Sequence, residues 1–150
     1  MTGVSIVDHV AQPTAGVRQR VLMSELSAFF ARAFGATLAV VTAQGAQVAG
    51  PPFGKYYGTP TDVVDVEAGF PVTAPITAEG DVVPGTLPGG RVAEAMHVGA
   101  YADLDATYAQ IRRHAADAGV ELGPIMWESY LSDPSVDATA QLTRVSWPLA

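Results

Sequence analysis

Hydrophobic and polar residues alternate along most of the chain, which is the pattern of half-buried β-strands. Pro and Gly punctuate this alternation and separate the strands from one another. Residues 43–50 form a predicted loop, and residues 82–90 a turn-rich lead into the next strand. The pattern predicts strands over residues 4–10, 17–22, 53–57, 62–72, 91–98, 125–131 and 140–149.

The hydrophobic period changes to that of a helix in two places. Apolar residues from Leu26 to Phe34 predict a first helix, with Ser24 as its N-cap and Gly35 as its end. Residues 37–41, rich in β-branched types, fit either more helix or a short strand. A second helix is predicted over residues 101–118, with a buried stripe made of Leu104, Tyr108, Ile111, Ala115 and Ala118.

The strand over residues 125–131 stands out because Gly-Pro precedes it and Asp-Pro follows it. Its alternation divides the side chains between two faces, with Ile125, Trp127, Ser129 and Leu131 on one, and Met126, Glu128 and Tyr130 on the other. The first face is nearly all apolar and is expected to be core. The second carries one carboxylate, Glu128, between a methionine and a tyrosine.

Two interpretations of Glu128 follow from this strand. The face could meet solvent, or Glu128 could pair with an arginine. Alternatively, the carboxylate lies in an aromatic-lined pocket, where it would attract a cation or act as a general acid or base with a raised pKa. The strand pattern alone leaves both open.

Composition narrows the classes of function. The 150 residues suit one domain over residues 1–150, and the net charge of −7 argues against nucleic-acid binding. There is no cysteine, and the three histidines lack metal-ligand spacing, so neither metal nor cofactor is expected. His97 is expected to be half-exposed, and Asp65 and Glu67 to form a solvated strand face.

Two features of the chain bear on location. No uninterrupted apolar run reaches the ~18 residues that a membrane span needs. The first ten residues carry Asp8 and do not form a secretory signal. We therefore expect a cytoplasmic protein that does not contact a membrane.

The two halves of the chain, about residues 1–72 and 85–150, repeat one order of elements. Each has a strand, a helix ended by glycine, a Pro-flanked aromatic strand, and a strand ending in aromatic-Pro-aliphatic. The last motif is Phe70-Pro71-Val72 in the first half and Trp147-Pro148-Leu149 in the second. Two such modules can pair their sheets and leave a cleft where they meet.

Four stretches carry a family resemblance: Leu-Pro-Gly-Gly-Arg-Val-Ala at residues 87–93, His-Val-Gly-Ala-Tyr at 97–101, residues 123–134, and Trp147-Pro148-Leu149. Together they resemble the GyrI-like effector-binding domains of AraC- and MerR-type bacterial regulators and of stand-alone proteins. The resemblance implies an α+β fold of two pseudo-symmetric strand–helix–strand–strand modules. A curved antiparallel sheet would carry two helices on one side and a ligand cleft between the modules.

The chain departs from this family in two places. The first half lacks the His-x-Gly-x-Tyr signature, because residues 20–24 read Arg-Val-Leu-Met-Ser. This departure weakens the assignment of any pocket residue in the first half, Tyr57 included. The chain before residue 10 is also too short for a helix-turn-helix, so we expect a stand-alone protein without direct nucleic-acid binding.

The resemblance also implies site residues. Glu128 matches the buried glutamate of a cleft that takes up bulky aromatic cations, and Tyr101 matches an aromatic that follows a strand–glycine break. Trp127 is expected to face the other way unless a bulge turns it. The remaining candidates for the cleft are Tyr130, Met126, Tyr57 and Trp147.

Three functions remain open from the sequence. The leading one is binding of bulky hydrophobic, cationic aromatic small molecules, for sensing or sequestration of the multidrug type. The second is hydrolysis of cyclopropane-bearing electrophilic natural products, in which Glu128 would activate water or protonate a leaving group, and Tyr101 or Tyr130 would orient it. The third is a protein-interaction module like the gyrase-inhibitor relatives. Haem is discounted because no histidine has a ligand context.

Overall fold

The computed structural model describes residues 3–58, 60–133 and 135–150. Single turns of 3-10 helix precede both long helices, at Met23–Glu25 and Tyr101–Asp103, and a third lies at Ala138–Ala140. In chain order, the strands and helices of the described residues are β1 (Val4–His9), β2 (Gln12–Leu22), α1 (Leu26–Ala43), β3 (Phe53–Tyr57), β4 (Val63–Pro71), β5 (Val83–Leu87), β6 (Gly90–Val98), α2 (Leu104–Ala118), β7 (Ile125–Tyr130) and β8 (Leu142–Pro148).

The strands form one antiparallel sheet in the order β1-β6-β8-β7-β3-β4-β2-β5. One module contributes β2, α1, β3 and β4, and the other contributes β6, α2, β7 and β8. The modules join at the centre of the sheet, where β3 pairs with β7 and Gly54 lies opposite Glu128. The predicted α+β class, with two helices on a curved antiparallel sheet, is confirmed.

Both helices cover the same side of the sheet, which we call the helix face. There α1 packs on β2 and β4, and α2 packs on β6 and β1. The residues Phe29 and Ala33 belong to one core cluster, and Leu104 and Ile111 to another. Met126 packs against both clusters. The central strand β7 therefore marks the seam between two small cores.

The sheet curls toward its other side, which we call the inner face. Four side chains there form one buried cluster although no helix covers them: Phe53 of β3, Leu87 of β5, Val92 of β6 and Trp127 of β7. In a flat sheet Leu87 would stand three strand spacings from Phe53, too far for contact. The curvature of the half-barrel buries this cluster without a second layer.

Helix α1 passes its predicted end and begins differently, and residues 37–41, which were left open between helix and strand, are helical. It continues through Gly35 to Ala43, and its buried positions Phe29, Ala33, Thr37 and Val41 follow a spacing of four residues. Packing of this stripe on the sheet carries the helix past the glycine. The predicted N-cap Ser24 lies instead in the 3-10 turn, and no side chain caps α1.

The turn-rich segment over residues 82–90 was also predicted wrongly. It contains the strand β5, which pairs with β2 from Leu87↔Gln12 to Val83↔Gly16. Because β5 is an edge strand, Pro84 is tolerated within it. Strand β2 likewise begins five residues before its predicted start, and it is bonded to β4 and β5 on its two sides.

Three expected exposures were wrong. His97 is 6% exposed, and its ring nitrogens lie 2.9 Å from the Thr107 hydroxyl oxygen and 2.8 Å from the Ala100 carbonyl oxygen. Glu67 is 4% exposed, because the curl of the sheet encloses the inner face. In α2 the buried stripe includes Thr107, whereas Ala118 is exposed.

The segment Met23–Ala43 is long and apolar enough to cross a membrane by length and composition, with a mean hydropathy of 1.6. Glu25 and Arg32 divide this segment, so it contains no uninterrupted apolar run of that length. The core helix of a soluble protein meets the same criterion, so this one segment is weak support for a membrane span.

Candidate functional site

Glu128 lies at the centre of the molecule, on the helix face of β7. Its neighbours across the sheet are Gly54 of β3 and Val145 of β8. The side chain is only 3% exposed, at the seam between the two modules. The alternation predicted for this strand is therefore observed, with Met126, Glu128 and Tyr130 on one face.

Two tyrosine hydroxyls form a hydrogen-bonded chain that ends at this carboxylate. The Tyr130 hydroxyl donates to Glu128 Oε1 over 2.9 Å, because residues two apart on a strand share a face. The Tyr56 hydroxyl is in turn hydrogen-bonded to that of Tyr130. The chain Tyr56–Tyr130–Glu128 thus crosses the junction between β3 and β7.

Aromatic rings from both modules close over this chain. The ring of Phe30, on α1, meets Tyr130 edge-on at 5.9 Å between centroids. The ring of Tyr101, in the turn before α2, meets Tyr130 edge-on at 5.7 Å. Phe34 stacks on Phe30 at 5.6 Å and extends the aromatic surface along α1. We call Phe30, Tyr56, Tyr101 and Tyr130 the aromatic cage.

Gly54 leaves the space that the cage occupies. A Cβ atom at this position would lie 2.8 Å from the Tyr130 hydroxyl oxygen and 3.0 Å from Cζ of Phe30. Both separations are shorter than ordinary carbon contacts. Any larger residue on β3 opposite Glu128 would therefore displace the ring that holds the carboxylate.

Burial governs the electrostatics of the site. It raises the pKa of the Glu128 carboxyl to about 7, although the hydrogen bond from Tyr130 acts in the opposite direction. Burial and the nearby Glu128 carboxylate also raise the pKa of Tyr101. No ion pair joins Glu128 to a basic side chain among residues 3–58, 60–133 and 135–150. Near neutral pH the carboxyl can accordingly exist in either protonation state.

Family comparison identifies what this architecture is. The model of the GyrI-like small molecule binding domain matches residues 2–150. The chain belongs to this family. No curated protein sequence matches it.

Solved structures with the same fold include EcmrR. The GyrI-like domain is similar to the C-terminal domain of EcmrR, with 18% identity, a TM-score of 0.87, and coverage of 100% of this chain and 98% of that one. EcmrR in a DNA complex matches with 19% identity and a TM-score of 0.86 over 99% of this chain. The chain spans 57% of the length of EcmrR in that complex.

Two further structures are more distant. SAV2435 bound to tetraphenylphosphonium has 9% identity and a TM-score of 0.66, covering 98% of this chain and 93% of that one. A hydrolase encoded by lin2189 from Listeria innocua has 13% identity and a TM-score of 0.67, covering 99% and 92%. At these identities the likeness shows the fold alone.

The structure brings some of the predicted site residues of the GyrI-like domain together. Tyr101 and Tyr130 stand beside Glu128, and Met126 shares its face. Trp147 is also on the helix face, but its ring meets Tyr108 edge-on at 6.4 Å and its indole nitrogen donates to the Gly123 carbonyl. Trp147 therefore packs along α2 and does not join the aromatic cage.

Tyr57 and Trp127 lie on the inner face, with the sheet between them and Glu128. Tyr57 donates its hydroxyl proton to Glu67 Oε1 over 2.6 Å, beneath the Arg18 guanidinium. Trp127 is 3% exposed within the inner-face cluster, and no bulge turns it toward Glu128. Strand alternation thus removes both from the set of side chains around the carboxylate.

Sequence reasoning missed Phe30, Tyr56 and Gly54. Phe30 belongs to a helical stripe that was interpreted as core, and Tyr56 precedes the tyrosine that was chosen. The register of β3 against β7 distinguishes the two tyrosines, because only Tyr56 shares a face with Glu128. That register follows from the pairing of the modules, which no single strand reveals.

The described residues contain no group of three or more His, Cys, Asp or Glu side chains that could hold a metal ion. The groups gathered at Glu128 are its carboxyl group, tyrosine hydroxyls and aromatic faces.

Proposed function

We propose that this GyrI-like domain binds bulky aromatic cations at Glu128. One observation carries the proposal: a carboxyl group only 3% exposed has no basic partner among the described residues and is enclosed by the aromatic cage. An ionised carboxylate buried without a partner is unfavourable, and a cationic ligand would supply the missing charge. A neutral ligand of equal size would not.

The cage suits ligands of varied shape. Aromatic faces attract cations through their quadrupoles, with about 0.5–2 kcal/mol per contact depending on desolvation. Met126, an adaptable side chain, adds to the floor beside Glu128. The expected specificity is for positive charge and flat apolar area, which fits sensing or sequestration of the multidrug type.

A ligand needs the cage to open. Tyr101 is the most exposed of its rings, at 48%, and lies in a single 3-10 turn. This turn follows Gly99, whose φ of 128° is accessible mainly to glycine. We expect Tyr101 to swing away from Tyr130 and to stack on the ligand. The similarity to SAV2435, which was solved with tetraphenylphosphonium, supports the same class of ligand.

The test is calorimetric titration of the full chain with tetraphenylphosphonium and with neutral triphenylphosphine oxide. We expect saturable binding of the cation, at least tenfold tighter than that of the oxide. Glu128→Gln should lower cation affinity at least tenfold because it removes the charge and keeps the shape.

The matched control is Glu121→Gln, which removes one unit of negative charge from an exposed position of the chain. It should leave cation affinity within twofold. Equal loss in both variants would show that only the overall negative charge attracts the ligand, and would refute a role for Glu128.

A second candidate is hydrolysis of a strained electrophile in the same cleft. A carboxyl group with a pKa of about 7 can donate or accept a proton at neutral pH, and Tyr101 or Tyr130 would orient the reacting group. The Listeria innocua neighbour described as a hydrolase shares the fold. The test is to measure turnover of a cyclopropane-bearing electrophile by the parent chain and by Glu128→Gln. We expect the parent to hydrolyse it and the variant to be inactive. Binding of the compound without turnover would exclude this candidate.

A further inference from the structure

The inner face of the sheet is concave and lies on the other side of β7 from Glu128. A cavity of about 320 Å³ opens there, near the lower end of the range for small-molecule pockets. Its polar and aromatic lining comes from β1, β6, β7 and β8, and includes His9, Glu94, Trp127, Ser129, Arg144 and Ser146. This cavity therefore lies on the opposite side of β7 from the aromatic cage.

Arg144 is the charged group of this cavity that lacks a counterion. It lies on β8 opposite Ser129 of β7 and is half-buried. The acidic side chain that shares the cavity, Glu94, is occupied: His9 Nε2 lies 2.7 Å from its Oε2, and the Ser146 hydroxyl donates to the same oxygen over 3.4 Å. Among the described residues no ion pair involves Arg144.

The apolar part of the cavity is aromatic. Trp127 is 3% exposed, and the His9 ring meets it edge-on at 5.9 Å between centroids. Leu87 adds an aliphatic wall from β5. A flat aromatic ligand in this space would place its ring against Trp127 and direct a polar substituent toward β8.

We propose that the inner-face cavity binds a small aromatic carboxylate. The guanidinium of Arg144 presents parallel N–H donors that match a carboxylate, and such pairs are among the stronger hydrogen bonds in proteins. The hydroxyl of Ser129, on the neighbouring strand, is the adjacent polar group. The volume of the cavity limits the ligand to one ring or two fused rings. This site selects an anion, whereas the aromatic cage on the helix face is built for a cation.

The test is a titration of the full chain with benzoate and with benzamide, its neutral isostere. Binding is monitored by ¹H–¹⁵N chemical shifts. We expect benzoate to shift the amides of Ser129, Arg144 and Ser146 in a saturable way. Benzamide should bind at least tenfold more weakly. Arg144→Gln should lower benzoate affinity at least tenfold, and Arg113→Gln, an exposed arginine of α2, should leave it unchanged.

Further outcomes separate the two sites. Glu128→Gln should leave benzoate affinity unchanged, so failure of cation binding on the helix face would not affect this result. If Arg144→Gln does not fold, the comparison of benzoate with benzamide in the unmodified chain decides the matter. Equal affinity for the two probes, shifts confined to α1 and α2, or no saturation would overturn the proposal.

Discussion

At the scale of single residues, the protonation of Glu128 links stability to pH. Burial raises its pKa from 4.5 to about 7 in the folded chain. The folded state thus holds the proton more tightly than the unfolded state, and this group stabilises the fold most below pH 4.5. The contribution disappears as the pH rises to about 7, a loss of up to about 3 kcal/mol.

We therefore predict that Glu128→Gln flattens the dependence of unfolding free energy on pH between 4.5 and 7. The glutamine cannot ionise, so the variant should gain stability relative to the parent chain as the pH rises. Urea unfolding at pH 5 and pH 8 measures this, with Glu121→Gln as the control. Parallel pH profiles for the parent and Glu128→Gln would contradict a proton held by burial.

Gly54 gives a second residue-scale prediction. Gly54→Ala places a methyl group 2.8 Å from the Tyr130 hydroxyl oxygen, so the ring must move or the strands must separate. We expect a loss of about 1–3 kcal/mol, typical of overpacking, and a weaker hydrogen bond from Tyr130 to Glu128. Thermal unfolding measures the loss. An unchanged Tm would mean that the cage has free space at its base.

At the scale of elements, α1 carries a glycine that its packing does not require. Gly35 is exposed, its φ is not positive, and a Cβ atom there would meet nothing within 4 Å. Gly35→Ala should therefore stabilise the chain by about 0.5–1 kcal/mol, because alanine loses less backbone entropy in a helix. Urea unfolding is the measurement. A destabilised variant would imply that the outer side of α1 contacts something else in solution.

The elements also show what a sequence can and cannot predict. The strand containing Glu128 was predicted with the correct alternation, because turn residues bound it on both sides. The end of α1 was wrong because Gly35 is a stop signal only where no buried stripe continues beyond it. Strand β5 was missed because Pro84 and Gly85 suit a turn, and only its edge position permits a strand. Whether Tyr56 or Tyr57 lies on the same face as Glu128 depends on the register between β3 and β7, which belong to different modules. The local sequence pattern of either strand does not contain this information.

At the scale of the whole molecule, one continuous sheet joins the two modules. The five residue pairs of β3 and β7 and the packing of Met126 on both cores connect them. We predict a single cooperative unfolding transition. Each tryptophan can serve as a separate probe of unfolding. In the variant Trp127→Phe the remaining Trp147 reports on the helix face, and in Trp147→Phe the remaining Trp127 reports on the inner face.

The midpoints of each variant's fluorescence and far-UV circular dichroism should coincide. Distinct midpoints within one variant would show that a face or a module can open separately. Such an opening at the β3–β7 junction would expose the cage without global unfolding.

The alternation of side chains along β7 has a further consequence for how this protein can change over evolutionary time. Substitution of Glu128 alters the aromatic-cage side of β7, and substitution of Ser129 alters the inner-face cavity, so the two sides can diverge independently one point mutation at a time. Insertion of a single residue within Ile125–Tyr130 would instead reverse the faces of the side chains that follow it. Placed ahead of Trp127, it would present the tryptophan to the helices and the carboxylate to the interior of the half-barrel. Length variation among descendants of this sequence should consequently be confined to the segments outside β7, while its composition remains free to drift.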